Sequence, residues 1–151
     1  MIGELNELYQ ELLLDHSKRP RNFHELNGTN HQAEGYNPLC GDRISVYLKL
    51  ADGRVSDASF TGTACAICTA SASMMTEKIK GLDDAAVQQL FDVFHDLMTG
   101  QAEPESVAER LGKLAALSGV QRFPIRVKCA TLPWHTMKAA LQQPGQTIST
   151  E

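Results

Sequence analysis

Four cysteines and one aspartate are the residues of this 151-residue chain best able to do chemistry. Three of the cysteines stand where the sequence changes character. Cys40 lies in Asn37-Pro38-Leu39-Cys40-Gly41-Asp42, a turn-forming string ahead of an extended segment. Cys65 follows Gly62-Thr63-Ala64, where an extended segment gives way to a helix. Cys129 follows Arg126-Val127-Lys128, just ahead of the last predicted helix. Free N–H groups and partial positive charge at a helix start favour thiolate over thiol, so two of these cysteines are placed to be reactive or metal-bound. If the three junctions converge, they supply three soft ligands, and Asp42, one flexible glycine beyond Cys40, offers a carboxylate as the fourth. A Cys₃Asp set suits tetrahedral zinc. Its oxygen ligand leaves a site more open to exchange than a Cys₄ staple. The spacings from Cys40 to Cys65 and from Cys65 to Cys129 match no local zinc-finger pattern. Spacing alone therefore leaves a shared metal site and separate structural cysteines both open.

Other candidates carry less. Cys65-Ala66-Ile67-Cys68 is a C-x-x-C at a helix start, but a thioredoxin-like pair belongs in a βαβ context, and no parallel unit is evident. Cys68 is expected to be a small packed helix residue, with a disulfide to Cys65 available on oxidation. His135, six residues past Cys129, brings Cys–His hydrolases to mind, yet nothing marks an oxyanion hole. His16, His24, His31 and His95 receive no role. Trp134 and Met74-Met75 are expected in packing, and Lys18-Arg19-Pro20-Arg21 is a short basic loop, solvated or docking an acidic partner.

The elements that must position these residues follow from periodicity. Residues Glu4 to His16 place Leu5, Leu8, Tyr9, Leu12 and Leu13 on one helical face. Ile44 to Leu50 alternates apolar and polar residues, and Asp52-Gly53 turns it into Val55 to Thr61, a β-hairpin. A third strand over His31 to Tyr36 has weaker support. Helices are predicted from Ala66 to Lys80, after the Asp83 cap to Gly100, from Pro104 towards Val120, and from about Thr131 to Gln142 with Pro133 in its first turn. The tail from Gln143 is polar and expected to fray. The order helix, antiparallel strands, then helices indicates an α+β domain with a small three-stranded antiparallel sheet, one domain over 1–151.

Composition excludes some classes. The net charge is −4 with no basic run, so no electrostatic footprint for nucleic acid is present. No apolar stretch approaches the roughly 20 residues of a bilayer span, and no signal-peptide pattern opens the chain, which places it by default in the cytoplasm. Thiols stay reduced there, so cysteines serve as ligands, nucleophiles or packing.

The strings around Cys40, Cys65-Ala66-Ile67 and Cys129, with Leu8-Tyr9 and Leu12-Leu13 in the first helix, resemble the IscU/SufU/NifU N-terminal family over nearly the whole chain. The resemblance implies an α+β fold gathering Cys40, Asp42, Cys65 and Cys129 at one end. It also implies receipt of sulfur from a pyridoxal-phosphate cysteine desulfurase, for cluster building or for delivery to downstream assembly or acceptor proteins. Lys128 stands where scaffold-type members have a histidine. Phe123-Pro124-Ile125-Arg126-Val127 replaces their Leu-Pro-Pro-Val-Lys stretch, and the segment from about Glu103 to Val120 is extra. These departures favour the SufU branch, with zinc at the site and sulfur transfer. Cys40 is the expected acceptor because its Pro/Gly-flanked turn is the loop best able to move, and Arg126, close to Cys129, is expected to steady a thiolate or persulfide. A hydroxyl residue is usual in the family where Cys68 stands. Two other functions stay open: a scaffold for a [2Fe–2S] cluster on the same cysteines, and a binding domain with purely structural zinc.

Overall fold

The computed structural model describes residues 2–29, 31–142, 144–145 and 147–149, with side chains described from residue 7 onward. Helix α1 (Ile2–Lys18) precedes strands β1 (His31–Asn37), β2 (Asp42–Ala51) and β3 (Arg54–Thr63). Helices α2 (Ala66–Ile79), α3 (Asp84–Met98) and α4 (Pro104–Leu111) follow, then a 3₁₀ segment Gly112–Val120, helix α5 (Pro124–Gln142) and strand β4 (Thr147–Ser149). Leu5 lies outside the described side chains. Of the remaining α1 positions, Leu12 is buried, Tyr9 and Leu13 pack partly against the core, and Leu8 is exposed.

The sheet departs from the expectation of three antiparallel strands. It has four, in the order β3-β2-β1-β4, and β4 runs parallel to β1 through Glu34↔Thr147, Gly35↔Ile148 and Tyr36↔Ser149. The fourth strand arises from the tail expected to fray. The β2–β3 hairpin follows its pattern: Ile44, Val46 and Leu48 are buried, and Asp52 and Gly53 both take positive φ, as a tight Asp-Gly turn demands.

Two helix predictions are corrected. The stretch beyond Pro104 is not one helix: Gly112, at φ 57°, ends α4, and the chain continues as 3₁₀ with Leu114, Leu117 and Val120 buried. Helix α5 begins at Pro124 rather than near Thr131, so Cys129 sits inside it and Pro133 is interior. Pro133 offers no amide to the carbonyl of Cys129, four residues back, which loosens the helix just beneath the sulfur.

Helix α5 packs on β1 and β2 and contacts α2 and α3. Trp134 anchors this layer. Its ring stacks on Phe94 at 4.6 Å, its Nε1 donates to Ser71 Oγ at 3.2 Å, and Ser71 donates to the carbonyl of Ala130 at 2.6 Å. Both polar groups are thereby satisfied inside the core.

Gly62 fixes the end of β3 from which Cys65 emerges. Its φ is +142°, and a Cβ there would meet the Arg43 carbonyl oxygen at 2.1 Å. That obstacle is backbone and cannot rotate away. Gly62→Ala is expected to destabilise the fold by about 3 kcal/mol, read as a lower urea midpoint. An unchanged midpoint would show that β3 shifts freely.

His16 on α1 is fully buried with Nδ1 2.7 Å from Ser73 Oγ. Its Nε2 has no hydrogen-bond partner and lies 3.9 Å from Glu77. Burial, then the Arg21 charge, lowers its pKa. The unfolded chain therefore takes up this proton first, near pH 6.5, and stability falls as pH drops below that value until the folded-state pKa is passed. His135, lowered by burial and then by His95 and Lys138, adds to the same slope. Between pH 7.5 and 5.5 the wild-type urea midpoint should fall, and His16→Gln should flatten that fall. An identical slope in the variant would remove His16 from the account.

Candidate metal centre

Cys40 sits in the four-residue connection between β1 and β2, whose flanking residues Asn37 and Asp42 pair with each other. Gly41, at φ +72°, lets the chain turn back after it. The side chain of Asn37 accepts from the Leu39 N–H at 3.3 Å, which shapes the turn. Cys40 is thereby exposed at a hairpin tip. The first residue of β2 is Asp42, which is wholly buried.

Cys65 is the N-cap of α2. It receives the Cys68 N–H at its sulfur, 3.4 Å away, and its own N–H donates to Asp42 Oδ1 at 2.7 Å. Its Sγ lies 3.8 Å from Asp42 Oδ2. Cys129, almost fully buried in the second turn of α5, has its Sγ 3.1 Å from that of Cys40. The ligand atoms of Cys40, Asp42 and Cys129 all lie within 4.8 Å of one another, and Cys65 joins through Asp42. The hairpin tip, the α2 start and α5 do converge.

The electrostatics divide the thiols. The Cys65 pKa is lowered to about 7, first by the hydrogen bond from Cys129, against its own burial, with help from the Cys68 and Ile67 N–H groups at the helix start. Cys129 is pushed up, by donating to Cys65, by burial and by its contact with Cys40. Burial raises Cys68 as well, followed by the charges of Asp42, Cys65 and Cys40. Among the described residues no ion pair compensates Asp42, a buried carboxylate near the sulfurs of Cys65, Cys40 and Cys129. Such a group is costly alone and well placed beside a cation. Two thiols and a carboxylate on this scale, with Cys65 Sγ beside the carboxylate, offer donor types that suit tetrahedral zinc and equally an iron–sulfur unit.

Arg126 places its guanidinium carbon 4.5 Å from the centroid of the Phe123 ring. Asn37 carried no assignment from sequence, yet it is fully buried and donates from Nδ2 to Cys129 Sγ at 3.6 Å, joining the hairpin to α5. Its place before Pro38 in a turn was the available signal. His135 packs edge-on against Phe91 and His95.

The family model for the NifU-like N-terminal domain matches residues 8–130. The chain is 43% identical over 136 residues to the zinc-dependent sulfurtransferase SufU of Bacillus subtilis, covering 90% of each protein. It is 38% identical over 142 residues to the iron–sulfur cluster assembly scaffold protein IscU of Streptococcus pyogenes, covering 94% of this chain and 87% of the relative. A solved structure from Fervidobacterium islandicum, described as a candidate iron–sulfur scaffold for the SUF system, superposes with a TM-score of 0.79 at 29% identity, over 91% of this chain and 98% of that one. With the cysteine-bearing junctions inside the matched region, this chain belongs to the NifU-like N-terminal domain family of iron–sulfur cluster assembly proteins.

Proposed function

We propose that this protein is a zinc-dependent sulfur acceptor, taking persulfide sulfur from a pyridoxal-phosphate cysteine desulfurase in the cytoplasm for downstream assembly or acceptor proteins. The observation that carries the reading is an exposed Cys40 at a glycine-hinged hairpin tip, its sulfur within 4.8 Å of the Asp42 and Cys129 ligand atoms. Cys40, Asp42, Cys65 and Cys129 would hold the metal. Bound zinc supplies Lewis acidity that keeps the cysteines as thiolates at neutral pH. Cys40 is the group a partner can reach. Its thiolate attacks the terminal sulfur of the donor persulfide: the new bond to Cys40 Sγ forms as the donor's S–S bond breaks, and the electron pair leaves on the donor cysteine. Buried Cys129 and Asp42 hold position while the hairpin tip moves. Arg126, three residues before Cys129, supplies a cation to steady the persulfide.

A scaffold for a [2Fe–2S] cluster on the same four residues is the second reading, favoured by the similarity to IscU. The decisive measurement is metal content and visible absorbance of protein purified without added iron, followed by desulfurase turnover with and without it. About one zinc per chain, no colour and clear stimulation support the acceptor. A red-brown protein holding iron and sulfide, with little stimulation, would replace it with the scaffold.

A further inference from the structure

Cys68 is the one cysteine the sulfur-acceptor reading does not use, and its surroundings are those of a resolving thiol. It occupies the third position of α2, and Cys65 caps the same turn. Cys65 stands at the N-cap in extended backbone, φ −66° and ψ 167°, so its side chain folds over the first turn towards Cys68, and rotation about χ1 of the two residues sets the approach of their sulfurs. The Cys65 sulfur already rests 3.4 Å from the backbone nitrogen of Cys68. The two thiols differ in access: Cys65 is half-exposed, while Cys68 has no exposed surface. Of these two, an oxidant must therefore reach Cys65 first, with the second thiol waiting behind it, away from solvent.

We propose that Cys65 and Cys68 form a reversible redox pair, in which a peroxide-class oxidant joins them as a disulfide and removes Cys65 from the metal centre. The Cys65 thiolate takes an oxygen from hydrogen peroxide, becoming a sulfenic acid as hydroxide leaves. The Cys68 thiol then attacks the oxidised sulfur, the S–S bond forms, and water departs with the thiol proton. Peroxide gains the two electrons that the two sulfurs lose. Cys65 caps α2 and Cys68 lies in its first turn, so closing the bond demands no movement of the β1–β2 hairpin or of α5. The consequence for the site is larger than the movement. Three of four ligands remain, and Cys65 can no longer share a proton with Cys129. Cys68 also shields Cys65 from overoxidation, because condensation within one helical turn outruns attack by a second peroxide.

The release of metal rests on the metal reading above, whereas the disulfide does not, and one experiment separates them. Protein with and without zinc is treated with a small molar excess of hydrogen peroxide, alkylated and digested with trypsin, and zinc release is followed with a chromophoric chelator. Cys65 and Cys68 share the tryptic peptide 55–78, while Cys40 and Cys129 lie on separate peptides, 22–43 and 129–138. The expected result is peptide 55–78 unalkylated and lighter by two hydrogens in both samples, with zinc release from the loaded one and full recovery of both after dithiothreitol. Cys68→Ser should recover less than about a third of its zinc binding, with Cys65 carried to sulfinic acid. Cys68→Ala, checked by melting temperature, separates loss of the thiol from loss of packing. A cross-link between peptides 22–43 and 129–138 in place of the internal disulfide would overturn the proposal. So would a Cys68→Ser protein that recovers its metal as fully as wild type. If no zinc binds at all, the peptide map of the metal-free protein still decides the disulfide.

Discussion

Cys40→Ser should lose the ability to stimulate a cysteine desulfurase by on the order of 100-fold, to the level of no added protein, while its fold stays intact. The two halves of that expectation come from different features. Sulfur transfer needs a nucleophile that a partner's persulfide can reach, and Cys40 is the exposed member of the three clustered cysteines; Cys129 is almost fully buried and Cys65 half so. A serine hydroxyl at the same tip stays protonated and is a far poorer nucleophile towards sulfur than a thiolate. The fold is spared because Cys40 stands in a turn and contributes nothing to the hydrophobic core. The variant needs a zinc determination beside the turnover assay, since losing one ligand weakens the site without emptying it. Cys68→Ser is the matched control and should stimulate as wild type does. If Cys40→Ser unfolds and loses activity only in proportion, the zinc is a structural staple. If it folds and still accepts sulfur, the acceptor is another thiol, and Cys129, 3.1 Å away, is the first to test.

The parts of this centre differ in how visible they are in the sequence, and the difference is physical. Cys40 and Cys65 could be placed because turn and cap chemistry is local: Pro38 and Gly41 bend the hairpin tip, and the switch from extended to helical pattern after Gly62 announces the α2 start. Sequence signals alone start the last helix most of two turns late, after Cys129 instead of before it. Pro124 and Pro133 both satisfy the preference for proline in a first turn, and only the packing of α5 on β1 and β2 decides that the helix begins at the earlier one. The same limit hides β4. Thr147-Ile148-Ser149 carries too short a pattern to predict a strand, and becomes one because β1 has a free edge to pair with. Gly112 inside an apolar helical pattern could equally have been tolerated; only the folded chain reveals its positive φ, which splits α4 from the 3₁₀ segment. The junctions offer the Cys₃Asp set without deciding it, and the family resemblance implies it. The burial of Asp42, the hydrogen bond from the Cys65 N–H to it, and the link from Asn37 to Cys129 are properties of the assembled centre alone.

Stripping the metal with a strong chelator is expected to lower the melting temperature by about 10 °C, and readdition of zinc should restore it. A ligand bound only to the folded state stabilises by about 4 kcal/mol when present at about a thousand times its dissociation constant. For a domain of this size each kcal/mol moves the midpoint by roughly 2–4 °C. The proposed zinc ligands come from parts of the chain that meet only on folding: the hairpin tip, the start of α2 and the second turn of α5. The metal-free centre also bears a specific burden. Asp42 is wholly buried, accepts one N–H from Cys65, and faces sulfurs instead of a positive group. An uncompensated carboxylate there disfavours the folded state until a cation arrives. Asp42→Asn removes that charge yet keeps an oxygen acceptor for the Cys65 N–H. It should therefore narrow the gap between the metal-free and zinc-loaded melting temperatures from both sides, by raising the first and lowering the second. Scanning calorimetry of the two proteins, each with zinc and with chelator, gives the four numbers needed. A wild-type melting temperature indifferent to chelation would mean that the three elements hold together without a metal, and that the four residues converge for thiol chemistry alone.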